Sequence, residues 1–402
     1  MNPMNAAGPP RPPGSPPTDG EPDAVASCTM GDLFAYFLRL GALGFGGPIA
    51  LAGYMQRDLV ERRRWIAKDD YVEGLALAQL SPGPLAAQLA MYLGWVRGGA
   101  RGAAAVGVAF VLPSFLMVLA LAWAYLRFGG LPWMQGAFYG IGAAVIAIIA
   151  RSAVKLARMT LAHDTVLWTL FAVSAAVTAV TGRELVWLVL ACGLVTIFIR
   201  VPLSRHHVAM FALPSALVTG GHGAVSGREL GEIALFFTKA GAFVFGSGLA
   251  IVPFLYSGAV HEHGWLDEQQ FRDAVAVAMV TPGPVVITSG FIGYLAGGAF
   301  GSALAAAGTF VPPYLVVILA ARWLRKPGPR LKAFVTGVTA SATGAIAGAA
   351  FVLGRRAVFD AVTAAIALVT LVVLMRTKKV PEPLLIGGAG AIGIALKSFG
   401  IG

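Results

Sequence analysis

Ser81-Pro82-Gly83-Pro84 and Thr281-Pro282-Gly283-Pro284 are one turn written twice, 200 positions apart. The residues around the two copies repeat in the same register. Asp32 answers Glu232, Arg39 answers Lys239, Gly41 answers Gly241, and Phe45-Gly46 answers Phe245-Gly246. Trp65 matches Trp265, Glu73 matches Asp273, and after a one-residue slip Gly98-Gly99 pairs with Gly297-Gly298. The chain is therefore a duplication, and internal repeats in a bilayer protein mark secondary transporters whose site lies between the halves.

Of the 402 residues, 57% are hydrophobic and 12% charged, about half the charged fraction of an ordinary soluble chain. Uncharged runs at Gly102–Leu126, Met134–Ala150, Thr165–Gly182, Gly301–Ala321 and Ala333–Gly354 approach or exceed the ~20 residues a helix needs to cross the hydrocarbon. The expected fold is an all-α polytopic membrane protein of two inverted-topology repeats with broken or re-entrant helical hairpins. Residues 1–30 read as a Pro/Gly-rich disordered tail, 31–205 as the first transmembrane repeat, 206–229 as a connecting span and 230–402 as the second repeat. Cys28 and Cys192 give no disulfide framework.

The net charge of +11 does not point to nucleic acid, because the basic residues fall in short stretches between apolar runs. Gln56–Asp70 holds Arg57, Arg62, Arg63, Arg64 and Lys68, whereas Tyr256–Gln270 holds Glu262, Asp267 and Glu268 with no Lys or Arg. Corresponding loops thus carry opposite charge, and the positive-inside rule places them on opposite sides. The same rule assigns Arg151, Lys155 and Arg158 to a cytoplasmic loop. It leaves Arg127, Arg183, Arg228, Arg272, Arg355, Arg356 and Lys397 outside, and Arg39 and Lys239 within membrane segments. Arg62-Arg63-Arg64 reads as an anchor for anionic lipid.

Proline lacks an N–H and glycine costs about 1 kcal/mol in a helix interior, so four segments must interrupt helices. They are Phe45-Gly46-Gly47-Pro48, Ser81–Pro84, Phe245-Gly246-Ser247-Gly248 and Thr281–Pro284. Irregular backbone at membrane depth survives only inside protein or beside a watery cavity. A helix restarting after such a break presents free N–H groups and a positive dipole end, a ready anion site. Ser81, Gln88, Thr281, Thr288 and Ser289 stand where they could add neutral donors. Arg39 and Lys239, a turn and a half before their breaks, form a symmetric cation pair suited to a dianion. Glu73 and Asp273 are coupling candidates, and Asp32 and Glu232 suit helix starts.

No catalytic residue, metal site or cofactor is expected. His206-His207 and His261-Glu262-His263 lack a third spaced ligand, and no Walker-type phosphate loop is visible. A membrane-embedded transferase would need clustered intramembrane acids. An anion channel would line its cavity with the same groups as a carrier.

Phe45-Gly46-Gly47-Pro48, Val60-Glu61-Arg62-Arg63-Arg64-Trp65 and Leu75–Pro84 followed by Gln88 closely resemble the amino-terminal half of the chromate ion transporter family. Phe245–Gly248, Trp265 and Thr281–Pro284 look like the second domain of its long members. The resemblance implies a multi-pass protein of a bacterial inner membrane that expels chromate, with sulfate as a similar oxyanion. It carries the family motif onto Gly46, Gly47, Pro48, Pro82, Gly83, Pro84 and Gln88. Many long members have a histidine three residues after the first-motif proline, where this chain has Leu51. The expected partners are an oxyanion and membrane lipid, with a homodimer as the candidate assembly.

Overall fold

The computed structural model describes residues 26–45, 47–128, 131–161, 164–181, 186–200, 227–243, 251–321, 328–358, 360–377 and 380–399. Within them every regular element is a helix. The first half runs α1 (Met30–Leu43), α2 (Gly47–Met55), a π-helical turn (Gln56–Arg62), α3 (Lys68–Leu80), α4 (Leu85–Phe128), α5 (Pro132–Leu161), α6 (Thr165–Thr181) and α7 (Val186–Arg200). The second half repeats that order as α8 (Gly227–Phe243), α9 (Ile251–Tyr256), a π-helical turn (Ser257–Glu262), α10 (Glu268–Val280), α11 (Thr288–Ala320), α12 (Pro329–Ala357), α13 (Ala361–Arg376) and α14 (Glu382–Ser398).

The matched glycines of the sequence have matched structural causes. A Cβ on Gly41 would overlap the Phe110 carbonyl, and a Cβ on Gly241 would overlap that of Thr309. Each first helix is thus held backbone to backbone against the long helix of its own half. Gly98 and Gly99 take φ −142° and 57°, and Gly297 and Gly298 take −147° and 63°. These pairs fold the long helices back on themselves, for Gly94 lies against Gly102 and Gly293 against Gly301. At the chain start Thr29 and Asp32 form a reciprocal capping box, which gives Asp32 the helix-start role its position suggested.

The first half opens with two helical hairpins. Tyr36 donates its hydroxyl to the Tyr54 carbonyl at 3.4 Å, pairing α1 with α2 about a tip at Gly44–Gly47. Gly74 packs on the Tyr92 ring, pairing α3 with the first arm of α4 about the Ser81–Pro84 turn. The Ser81–Pro84 turn therefore reverses the chain rather than kinking a through-going rod.

The remaining helices interlock across the halves. A Cβ on Gly140 of α5 would overlap the Ala389 carbonyl of α14. The matched Gly337 of α12 lies in the same way on Cys192 and Thr196 of α7. Such small-residue contacts let helices approach where lipid supplies no hydrophobic drive. Four helical stretches among the described residues are long and apolar enough to cross a membrane: Leu85–Phe128, Pro132–Arg158, Val285–Ala320 and Pro329–Arg355. Their outer faces stay apolar, with Leu116, Trp123, Leu126 and Leu319 exposed, as lipid-facing side chains are.

Candidate functional site

The hairpin tips of opposite halves meet. The Gly283 N–H donates to the Gly44 carbonyl at 2.8 Å, tying the second half's proline turn to the first half's first break. Gly283 has φ 93°, and a Cβ there would overlap the Ser114 hydroxyl of α4. Gly83, at φ 137°, sits in the matched place, its would-be Cβ 2.7 Å from the Pro313 Cβ of α11. Each turn is thus seated on the long helix of the other half, and only glycine takes both the positive φ and the close approach.

Beside the Gly283–Gly44 contact lies a cavity of about 610 Å³. Gly44, Phe45, Gly47 and Pro48 form its wall at the first break, with Thr281, Gly283 and Val285 from the opposing turn. Leu85, the first residue of α4, and Gly47, the first of α2, bring two helix N-termini to it. Those ends carry unpaired N–H groups and partial positive charge.

The cations on this wall are Arg151 and Lys155, one turn apart on α5. The loop expected at 151, 155 and 158 is in fact helix, because α5 continues to Leu161. Spacing of four residues puts both side chains on one helix face. Among the described residues neither has a carboxylate within 4 Å; the close ion pairs are Arg57–Asp58, Arg62–Asp58 and Arg200–Asp164. The register that matches Gly140 to Gly337 sets Arg151 against Gly348 and Lys155 against Val352. The positive charge therefore belongs to one half only.

Of the residues singled out in the sequence, Gly47, Pro48, Thr281 and Gly283 line the cavity. Gly46, Gly246, Ser247 and Gly248 lie outside the described residues. Arg39 and Lys239 do not meet there. Both stand on exposed faces of α1 and α8, because Leu40 with Gly41 and Ala240 with Gly241 turn inward instead.

Four hydroxyls were expected to donate to an anion, and three of them are committed elsewhere. Ser81 donates to the Leu77 carbonyl (2.6 Å), Thr281 to Ala278 (3.1 Å) and Thr288 to Val285 (2.7 Å). Each hydroxyl thereby pairs with a carbonyl of its own turn, and the Leu77 and Val285 carbonyls accept the backbone N–H of Ser81 and Thr288 as well. Gln88 uses its amide on its own turn, donating to Ser81 Oγ at 3.0 Å and the Pro82 carbonyl at 2.6 Å. Gln88 thereby braces Pro82, Gly83 and Pro84 from behind. Ser289 is fully buried away from the cavity with no hydrogen-bond partner for its hydroxyl among the described residues, and Pro282 and Pro284 shape the turn without facing the cavity.

Leu51 is fully buried against Gly44, inside the first hairpin. The family's frequent histidine position thus points into packing here. Asp273 is buried at 3% exposure and accepts from Tyr125 at 2.8 Å, a bond between the two halves, while Glu73 is half-buried on α3. Among the described residues no three His, Cys, Asp or Glu side chains gather as metal ligands.

The sequence contained a signal for the missed cations. Two basic residues at i and i+4 inside an otherwise apolar stretch, without counterparts in the second repeat, are better read as a helix face than as a loop.

No solved structure matches the chain. A chromate transport protein of Cupriavidus metallidurans is 56% identical over 93% of this chain and 95% of its own length. A probable chromate transport protein of Synechococcus elongatus is 53% identical over 91% and 95%. One from Pseudomonas aeruginosa is 33% identical over 82% of each. The chromate transporter family matches residues 31–197 and 231–394, the two stretches that carry the paired hairpins and long helices. The chain belongs to the chromate transporter family and is a multi-pass membrane protein.

Proposed function

We propose that this protein is a secondary transporter that expels a tetrahedral oxyanion, chromate with sulfate as competitor, across a bacterial inner membrane by alternating access. The observation that carries the reading is the cavity where hairpin tips of opposite halves meet beside Arg151 and Lys155. A dianion there faces two cations and the N-termini of α2 and α4, charge-assisted donors that each add about 1.5–3 kcal/mol. An inside-negative potential drives a dianion outward by about 2.3 kcal/mol per charge per 100 mV, so efflux needs no nucleotide. Asp273 and Tyr125 sit at a seam between the halves, where a proton or a rearranged hydrogen bond would accompany their movement.

The inverted arrangement of the repeats is part of the proposal. Tip-to-tip contact suits hairpins entering from opposite faces, and the opposite charge of the matched π-turn segments agrees with it. With Cys28 and Cys192 replaced, Arg62→Cys and Glu262→Cys are expected to react with an impermeant maleimide from opposite sides of sealed vesicles. Labelling of both from one side would reject the inversion.

Transport itself is read in proteoliposomes. Radiolabelled chromate is expected to enter in a saturable way, to exchange with unlabelled chromate across the membrane, and to be inhibited by sulfate but not by chloride at equal ionic strength. Flux that rises linearly with concentration and shows no counterflow would favour a channel instead.

A further inference from the structure

The cavity that holds the two cations also holds a carboxylate. Glu382 and Pro383, at the first turn of α14, complete its wall opposite Arg151 and Lys155 of α5. Glu382 is half-buried and feels both cations, yet forms no ion pair within 4 Å with either among the described residues. The α14 N-terminus adds its own preference for a negative charge at this place. A residue that merely neutralised Arg151 or Lys155 would close on one of them. Glu382 instead shares the space in which an anion would lie.

We propose that Glu382 is an internal competitor for the transported dianion, a specificity residue whose charge must be displaced or protonated before the oxyanion occupies the cavity. The inference rests on the cavity being the oxyanion site. Two cations and one carboxylate leave the empty wall with a net charge of +1. A dianion then overshoots neutrality while Glu382 is ionised, and balances it when Glu382 takes up a proton. Binding of the dianion and protonation of Glu382 therefore favour each other, and by linkage each does so to the same extent.

As pH falls and Glu382 takes up its proton, the competitor disappears and the apparent affinity for the dianion rises. The charged or titratable groups facing Glu382 across the cavity are Arg151 and Lys155 of α5 and Tyr71 of α3. The other lining elements, α2 with the π-helical turn at Gln56, α4 at Leu85, α10 at Met279 and α12 at Thr339, bring none to the wall. Tyr71 is engaged with the Ala52 carbonyl at 2.9 Å.

The test is sulfate uptake into proteoliposomes over a range of pH, because sulfate stays a dianion throughout. Wild type is expected to show KM rising with pH. Glu382→Gln is expected to lower KM about tenfold at alkaline pH, within the usual range of site-to-site coupling, and to flatten the profile. Glu382→Asp, which keeps the charge, should retain the wild-type slope and reports on folding at this position. If Arg151→Gln with Lys155→Gln raises KM while Glu382→Gln leaves KM and its pH profile unchanged, the cavity stands as the site and the competitor is overturned. If the double variant keeps the wild-type KM, the site reading fails and this proposal falls with it.

Discussion

Replacing Arg151 and Lys155 together by glutamine is expected to weaken oxyanion uptake more than about a hundredfold in KM while the protein still folds. Each cation offers a charge-assisted hydrogen bond of about 1.5–3 kcal/mol, so losing two removes about 3–6 kcal/mol, and every 1.4 kcal/mol is tenfold. Glutamine keeps most of the side-chain volume. Neither residue closes an ion pair within 4 Å among the described residues, so the change leaves no carboxylate stripped of a direct partner. Each single variant should lose about ten- to a hundredfold. Arg39→Gln with Lys239→Gln, on exposed helix faces, is the contrasting pair, and its KM should stay within about twofold of wild type. Substrate titrations of initial uptake on all four proteins decide the matter, with thermal unfolding in detergent as the folding control.

The second large effect belongs to a backbone position. Gly283→Ala is expected to abolish transport and to destabilise the protein by about 2–5 kcal/mol. Forcing an L-residue to φ 93° costs about 1–2 kcal/mol, and the new methyl adds an overlap with Ser114 of the kind that costs about 1–3 kcal/mol. Relief is possible only by withdrawing the turn from α4. That movement breaks the Gly283–Gly44 bond and opens the wall of the cavity. Adding Ser114→Gly to Gly283→Ala removes the overlap and leaves the φ strain, so part of the stability should return. An equal loss in both proteins would mean that α4 does not seat this turn.

The repeat register made much of this legible. Pro-Gly-Pro twice, Gly41 with Gly241, and Gly98-Gly99 with Gly297-Gly298 are positions where backbone geometry permits little else, so duplication preserves them and a reader can find them. The helical hairpins followed because proline and glycine exclude helix locally. The cation site was hidden for the opposite reason. Arg151 and Lys155 have no repeat partners, and a charge count along the chain does not distinguish a loop from the end of a long helix. The hydroxyls misled because a sequence shows a donor but not its commitments. Ser81, Thr281 and Thr288 sit at helix ends, where a carbonyl of their own turn is the nearest acceptor.

On the proposed function, one oxyanion binds where the first half's hairpin tip meets the second half's proline turn. An experimental structure of the protein soaked in chromate, with anomalous scattering collected at the chromium edge, tests it most directly. The predicted result is a single chromium peak enclosed by Gly47, Gly283, Arg151 and Lys155. A peak beside Arg39 or Lys239, with the cavity empty, would contradict it.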